Sequence, residues 1–133
     1  MNPRYPDVAL RALHRCEYCH APEAVFNMAF EVEHVVPLAL GGRSADANLA
    51  LACRSCNVHK GSRVSSIDDV TAVLVALFNP RSDDWREHFQ VDVDIGTIVG
   101  MTSTGRATVS CLRMNGEAQL DARRQWRRLG VFP

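Results

Sequence analysis

Several things are scarce in this chain of 133 residues. It has a single lysine among fifteen basic residues, a formal net charge of zero, aromatics at 7%, and no apolar run long enough to span a bilayer. Neutrality argues against a protein that binds nucleic acid through bulk positive charge. The longest apolar stretch, Val70 to Phe78, is interrupted by Thr71 and is far shorter than the ~20 residues of a spanning helix. The opening residues, Met1-Asn2-Pro3-Arg4-Tyr5-Pro6-Asp7, lack the apolar segment of a secretory signal, so a cytoplasmic location with no membrane partner is expected. Repeats, low-complexity segments and obvious linkers are also missing. With ordinary apolar and charged fractions of 47% and 23%, that predicts one globular domain over residues 1–133.

What is present is five cysteines, in a chain where disulfides are not expected. Four form two C-x-x-C pairs, Cys16/Cys19 and Cys53/Cys56, while Cys111 stands among apolar residues as a core filler. A C-x-x-C spacing suits a knuckle turn, and two such pairs can close a tetrahedral four-thiolate zinc site. Residues 20 to 52 must then leave the first knuckle and return to the second, so a structural zinc on Cys16, Cys19, Cys53 and Cys56 would pin both ends of that segment. Cys16-Glu17-Tyr18-Cys19-His20 also fits the haem-attachment pattern C-x-x-C-H, but haem leaves the second pair unexplained, so no haem is expected. His20 is read as an exposed neighbour of the clamp.

The patterning predicts an α+β fold. Residues 7–15 suit a helix capped by Asp7 with Leu10 and Leu13 facing inward. Phe26 to Val36 reads as a strand ended by Pro37 and Gly41-Gly42, and Asn48 to Ala52 as a second extended piece. Arg54 to Arg63 can be a helix stopped near Gly61. Ser66 to Phe78 is open between a helix and a loop followed by a strand. Asp83 to His88 looks like one helical turn, and Phe89–Val93 and Ile95–Thr102 like two strands, with Gly96 marking a bulge. Ser103 or Thr104 would cap a helix reaching Met114, and Gly116 to Leu129 a final helix rich in arginine. His14 and His88 carry no motif and are read as surface or packing residues. Trp85 and Trp126 are read as core rather than as base-stacking platforms.

Between and around the cysteine pairs lie Glu33-His34, Asn48 and Asn57, with Pro37, Gly41-Gly42 and Lys60-Gly61. Fourteen positions separate His34 from Asn48 and nine separate Asn48 from Asn57. This pattern resembles the HNH endonuclease motif, closely over residues 16 to 61. The run Leu77-Phe78-Asn79-Pro80-Arg81, with Gly105-Arg106-Ala107, is similar to a downstream extension of many bacterial HNH proteins. The resemblance implies a ββα-metal core at residues 12–63, braced by the zinc, with residues 64–133 packed on it as an extension. It also implies hydrolysis of DNA, expected to be double-stranded, leaving 5′-phosphate and 3′-hydroxyl ends.

The residue types suit that chemistry. A histidine is the natural base for water near neutral pH, and His34 takes that place. A hard divalent cation, Mg²⁺ or Mn²⁺, would stabilise the leaving 3′ oxygen. Glu33 and Asn57 offer it one carboxylate and one amide oxygen, leaving positions for water and phosphate. The family more often has aspartate before the base, so Glu33 reaches one methylene further. On a regular strand Glu33 and His34 would point to opposite faces, so the chain is expected to leave strand geometry there. Asn48 is expected to hold the His34 loop by hydrogen bonds across the hairpin. His59 would project roughly 200° away from Asn57 on a helix, so it reads as a phosphate or solvent contact, with metal ligation as the other reading. Lys60 reads as a phosphate contact or a solvated lysine. Arg123, Arg124, Arg127 and Arg128 form either a solvated helix face or a phosphate-binding one, with Arg124 and Arg128 the candidate contacts. The competing function is a catalytically silent zinc module that binds nucleic acid or protein. Cutting both strands would need a homodimer or two separate nicks.

Overall fold

The computed structural model describes residues 1–133. Its helices and strands do not alternate regularly, and the fold is α+β, with three separate two-stranded antiparallel sheets. In chain order the elements are α1 (Tyr5–Arg11), β1 (Glu31–His34), β2 (Leu49–Ala52), α2 (Arg54–Lys60), β3 (Ser65–Ile67), β4 (Leu74–Ala76), α3 (Trp85–His88), β5 (Phe89–Val91), β6 (Ile98–Gly100), α4 (Ser103–Cys111) and α5 (Glu117–Arg128). No helix is long and apolar enough to cross a membrane.

The β1–β2 hairpin is the centre of the first half, with Glu31 opposite Ala52, Glu33 opposite Ala50 and His34 opposite Leu49. Every residue of β2 is buried, with α1 packed against it, while α2 returns across β1. A two-stranded sheet is marginal alone and needs such cover. One continuous apolar core runs from Val8 and Tyr18 through Leu49 and Leu51 to Phe78, Phe89, Ile98, Leu112 and Met114.

Several sequence expectations are corrected by this packing. Helix α1 starts at Tyr5 with Pro6 in its first turn and no side-chain cap, so Asp7 is inside it rather than capping it. It buries Val8 and Ala9, while Leu10 and Leu13 are exposed. The helix stops at Arg11, and Leu13 and His14 take left-handed backbone conformations, which breaks the periodicity that would have turned both leucines inward. The strand expected from Phe26 shrinks to Glu31–His34, because Phe26 folds back to pack edge-on against Phe30 and beside Trp126.

Residues 65–76 form the β3–β4 hairpin. Its turn is organised by Asp68, which accepts from Val70 N and the Thr71 hydroxyl and is held bidentately by Arg106 of α4 at 2.9 and 2.8 Å. Gly96 makes no bulge: it occupies a left-handed position (φ +87°) in the β5–β6 turn, a conformation glycine adopts without strain. The cap of α4 is Thr102, whose hydroxyl accepts from Gly105 N at 3.0 Å. Trp85 and Trp126 are half-buried and pack on the core, and Cys111 is buried.

Candidate active site and metal centre

The two cysteine pairs sit at the start of local turns that the backbone builds independently. In the first, His20 N donates to Cys16 O at 2.9 Å and Cys16 N to Ala21 O at 3.0 Å, with His20 in a left-handed conformation that closes the knuckle. In the second, Cys53 is the N-cap of α2 and its sulfur accepts from Cys56 N at 3.5 Å. The fold brings the pairs together. All four sulfurs are buried and lie within 4.8 Å of one another, with Cys19 Sγ 3.7 Å from Cys53 Sγ. A tetrahedral zinc with bonds of about 2.3 Å requires sulfur separations of roughly 3.8 Å, so the donor set fits this ion. The crowding shows in the thiols themselves. Cys16 and the other sulfurs hold Cys53 far below the ordinary thiol range, while Cys19 and Cys56 are pushed well above it by the same hydrogen-bonded neighbours. His20 is not an exposed neighbour: it stacks on Trp85 with ring centroids 4.0 Å apart, and burial lowers its pKa to about 4.

Next to this clamp, β1 runs as a regular strand through His34, contrary to the expected departure from strand geometry. Alternation therefore separates the two motif residues. His34 is half-buried, and its Nε2 meets Ser44 Oγ at 2.8 Å. Glu33 turns the other way and is 4% exposed, bonded to the Tyr18 hydroxyl and to Lys60 Nζ at 3.1 Å. Burial raises the Glu33 pKa, against the pull of Lys60 and Tyr18.

Lys60 is equally buried, at 1% exposure, and also donates to Val35 O at 2.9 Å. It is neither a phosphate contact nor a solvated lysine: the strand–helix packing encloses it as the counter-charge of Glu33. Glu33 and Asn57 both border the cleft that His34 opens onto, but no hydrogen bond joins them. The carboxylate that meets the Asn57 amide is that of Glu31, which also accepts from Arg54 Nη1 at 2.7 Å. Glu31 shares a strand face with Glu33 because they are two residues apart, a signal present in the sequence and overlooked there.

Asn48 accepts from Val36 N at 2.8 Å and donates to Val36 O and Arg43 O, both at 2.9 Å. These bonds close the loop between β1 and β2 at its neck. Gly42 fits only without a side chain, since a Cβ there would lie 1.7 Å from Val36 O. A shallow cleft opens on this side, bordered by Glu33, His34, Leu38, Asn57 and Gly61, with the Glu33 carboxylate itself turned in to Lys60 and Tyr18. His59 is not among its walls; it lies in the row of Ser55, whose hydroxyl is 3.4 Å from its Nδ1, so it does not face the cleft with Asn57.

The arginine cluster divides. Arg123 is buried, which removes it from any phosphate-binding face, whereas Arg124 and Arg128 are exposed and border a groove with Arg127 and Asp94. His14 pairs with Glu23 at 2.7 Å, and His88 bonds Thr102 Oγ1 at 2.6 Å. Nothing in the sequence pointed to Ser44 or Tyr18, whose roles come from long-range approach.

A hairpin followed by a helix, braced by four clustered cysteines and carrying histidine and asparagine on one open side, defines a ββα unit with a built metal centre. Residues 16–63 match the sequence model of the HNH endonuclease family, so this segment is similar to an HNH endonuclease domain, of a family whose members are generally nucleases. No curated protein and no solved structure matches the chain.

Proposed function

We propose that the protein is a metal-dependent endonuclease that hydrolyses phosphodiester bonds of double-stranded DNA. The observation that carries this reading is the opening of His34 and Asn57 onto one accessible cleft, with the loop behind His34 pinned by Asn48. His34 is the base. Ser44 orients its ring through Nε2, and the ring takes the proton from the water that attacks phosphorus. Asn48 does not react; it keeps the His34 loop in register. A bound divalent cation supplies charge neutralisation at the leaving 3′ oxygen. Asn57 and a carboxylate of β1 would hold it.

For Glu33 to be that carboxylate, as the family resemblance implies, it must give up Lys60, whereas Glu31 already stands beside Asn57. The same observation favours a second reading, a zinc module without catalysis, because the Glu33 carboxylate is already committed to Lys60 and Tyr18. Supercoiled plasmid incubated with the purified chain separates the two. The proposal expects nicked or linear product with Mg²⁺ or Mn²⁺ and none with chelator. Intact plasmid under every cation condition, with zinc-loaded and folded protein, supports the silent module instead.

A further inference from the structure

Arg123 is a buried cation without an anion of its own. It is 1% exposed, and its guanidinium donates to Gly96 O at 3.0 Å, to Asn115 Oδ1 at 3.1 Å and to Met114 O. All three acceptors are neutral. Its neighbour Arg124, on the exposed side of α5, pairs with Asp121 at 2.8 Å. A charge removed from water is ordinarily matched by an opposite charge, because neutral partners alone do not offset its lost hydration.

The face of α5 that carries Arg123 is turned toward the cysteine clamp. Gln119, one helical turn earlier on the same face, donates to Ser55 Oγ at 3.0 Å, and Ser55 lies between Cys53 and Cys56. A zinc dication held by four thiolates leaves two negative charges uncompensated in that interior. Other cations close to the clamp are already committed: Lys60 to Glu33, Arg54 to Glu31 and Arg81 to Glu17. Arg15 lacks a carboxylate too, but it is only half-buried and shares its charge with water. Burial lowers the Arg123 pKa, and the charges of all four cysteines oppose that lowering.

We propose that Arg123 is the fixed counter-charge of the zinc tetrathiolate, so that the C-terminal helix helps to retain the metal without contributing a ligand. This rests on the zinc reading of the cysteine cluster. It also explains why one of four neighbouring arginines is enclosed while Arg124 and Arg128 stay in water.

The test measures zinc release from the full chain into excess EDTA, followed with a chromogenic zinc indicator. If the wild-type chain carries no zinc, the zinc reading itself fails. If it does, Arg123→Met should release zinc roughly tenfold faster or more, the lower end of what outer-shell changes cost, and Arg123→Lys should stay much nearer wild type. Trp126→Ala, which loosens α5 against Phe26 and Phe132, controls for destabilisation and should leave release little changed. Equal release from Arg123→Met and wild type would overturn the proposal, as would equal acceleration by Met and Lys. Should Arg123→Met fail to fold, the Cys16→His background decides. One thiolate charge fewer is expected to restore soluble, zinc-loaded protein, and a double variant that still fails to fold overturns the proposal.

Discussion

The segment from Cys16 to Ser62 and the segment that follows it solve the same problem differently. Both are built on two-stranded sheets too small to stand alone. In the first, four thiols from two knuckles converge on one point, so a metal can hold the hairpin and α2 together beside the packing of Tyr18, Leu49 and Leu51. In the second, the β3–β4 and β5–β6 hairpins are tied down by buried polar anchors and by aromatic packing. Asp68 is gripped by Arg106, and Phe78 packs edge-on against Phe89 with centroids 5.2 Å apart. The difference teaches where the molecule puts its chemistry. The metal-braced half leaves one side of its hairpin open, and that side carries His34 and Asn57; the second half uses its polar groups to hold itself together.

Removing the brace should have the largest effect. Cys53→Ser, or extraction of zinc by chelator, is expected to abolish cooperative folding of the clamped segment, since binding energy at a structural zinc site is folding energy. Thermal unfolding and elemental analysis would check this, and a metal-free protein that melts like wild type would show that packing alone holds this half. Next comes His34→Ala. Cleavage should fall by at least about a hundredfold, the lower end of what a general base contributes, with zinc content and melting behaviour unchanged. Wild-type rates of plasmid cleavage in that variant would remove His34 from the mechanism.

Lys60→Met tests whether the interior beside the cleft is as closed as it looks. Leaving Glu33 buried and unpaired should cost about 3–5 kcal/mol in denaturant unfolding. A variant that keeps its stability and loses only DNA affinity would mean that Lys60 faces phosphate after all.

Asp68→Asn probes the polar anchor of the second half. The bidentate Arg106 and the Thr71 and Val70 donors hold the Asp68 carboxyl below the usual carboxylate range. Its folded pKa is thus lower than the unfolded value near 3.9, so as pH falls the unfolded chain binds the proton first. Its stabilisation is fully present above about pH 4 and is lost as pH drops toward the folded value. The variant should lose stability at neutral pH and show a shallower acid decline, read from melts between neutral and acid pH; an unchanged acid profile would mean that the pair contributes nothing. The smallest effect is expected on the outer face of α5. Arg124→Ala with Arg128→Ala should reduce the slope of log affinity against log salt by up to roughly 0.9 for each phosphate no longer neutralised. An unaltered slope would return both residues to the solvated surface.

The cysteine spacing, Asn48, Asn57 and the Glu33-His34 pair were all legible in the sequence, because knuckles, caps and turns are local and their residue types are few. The helix after Cys53 and its stop at Gly61 were legible for the same reason. Side-chain direction at the site was only half legible. Strand alternation by itself puts Glu33 and His34 on opposite faces; the expected sharing of one site, with Glu33 at the cation and His34 at the water, argued against it, and the strand stays regular through His34. Hydrophobic periodicity failed at α1 because the helix is shorter than its pattern.

By itself, then, the sequence determined which four cysteines can share a metal, which histidine is the candidate base, and that strands and helices are mixed. Only the tertiary structure decided that Lys60 and Arg123 are interior charges rather than surface ones, that Glu31 meets Asn57, and that Ser44 meets His34. These are contacts between segments far apart in the chain, and whether a charged side chain is buried depends on what folds over it, which no local pattern of residues encodes.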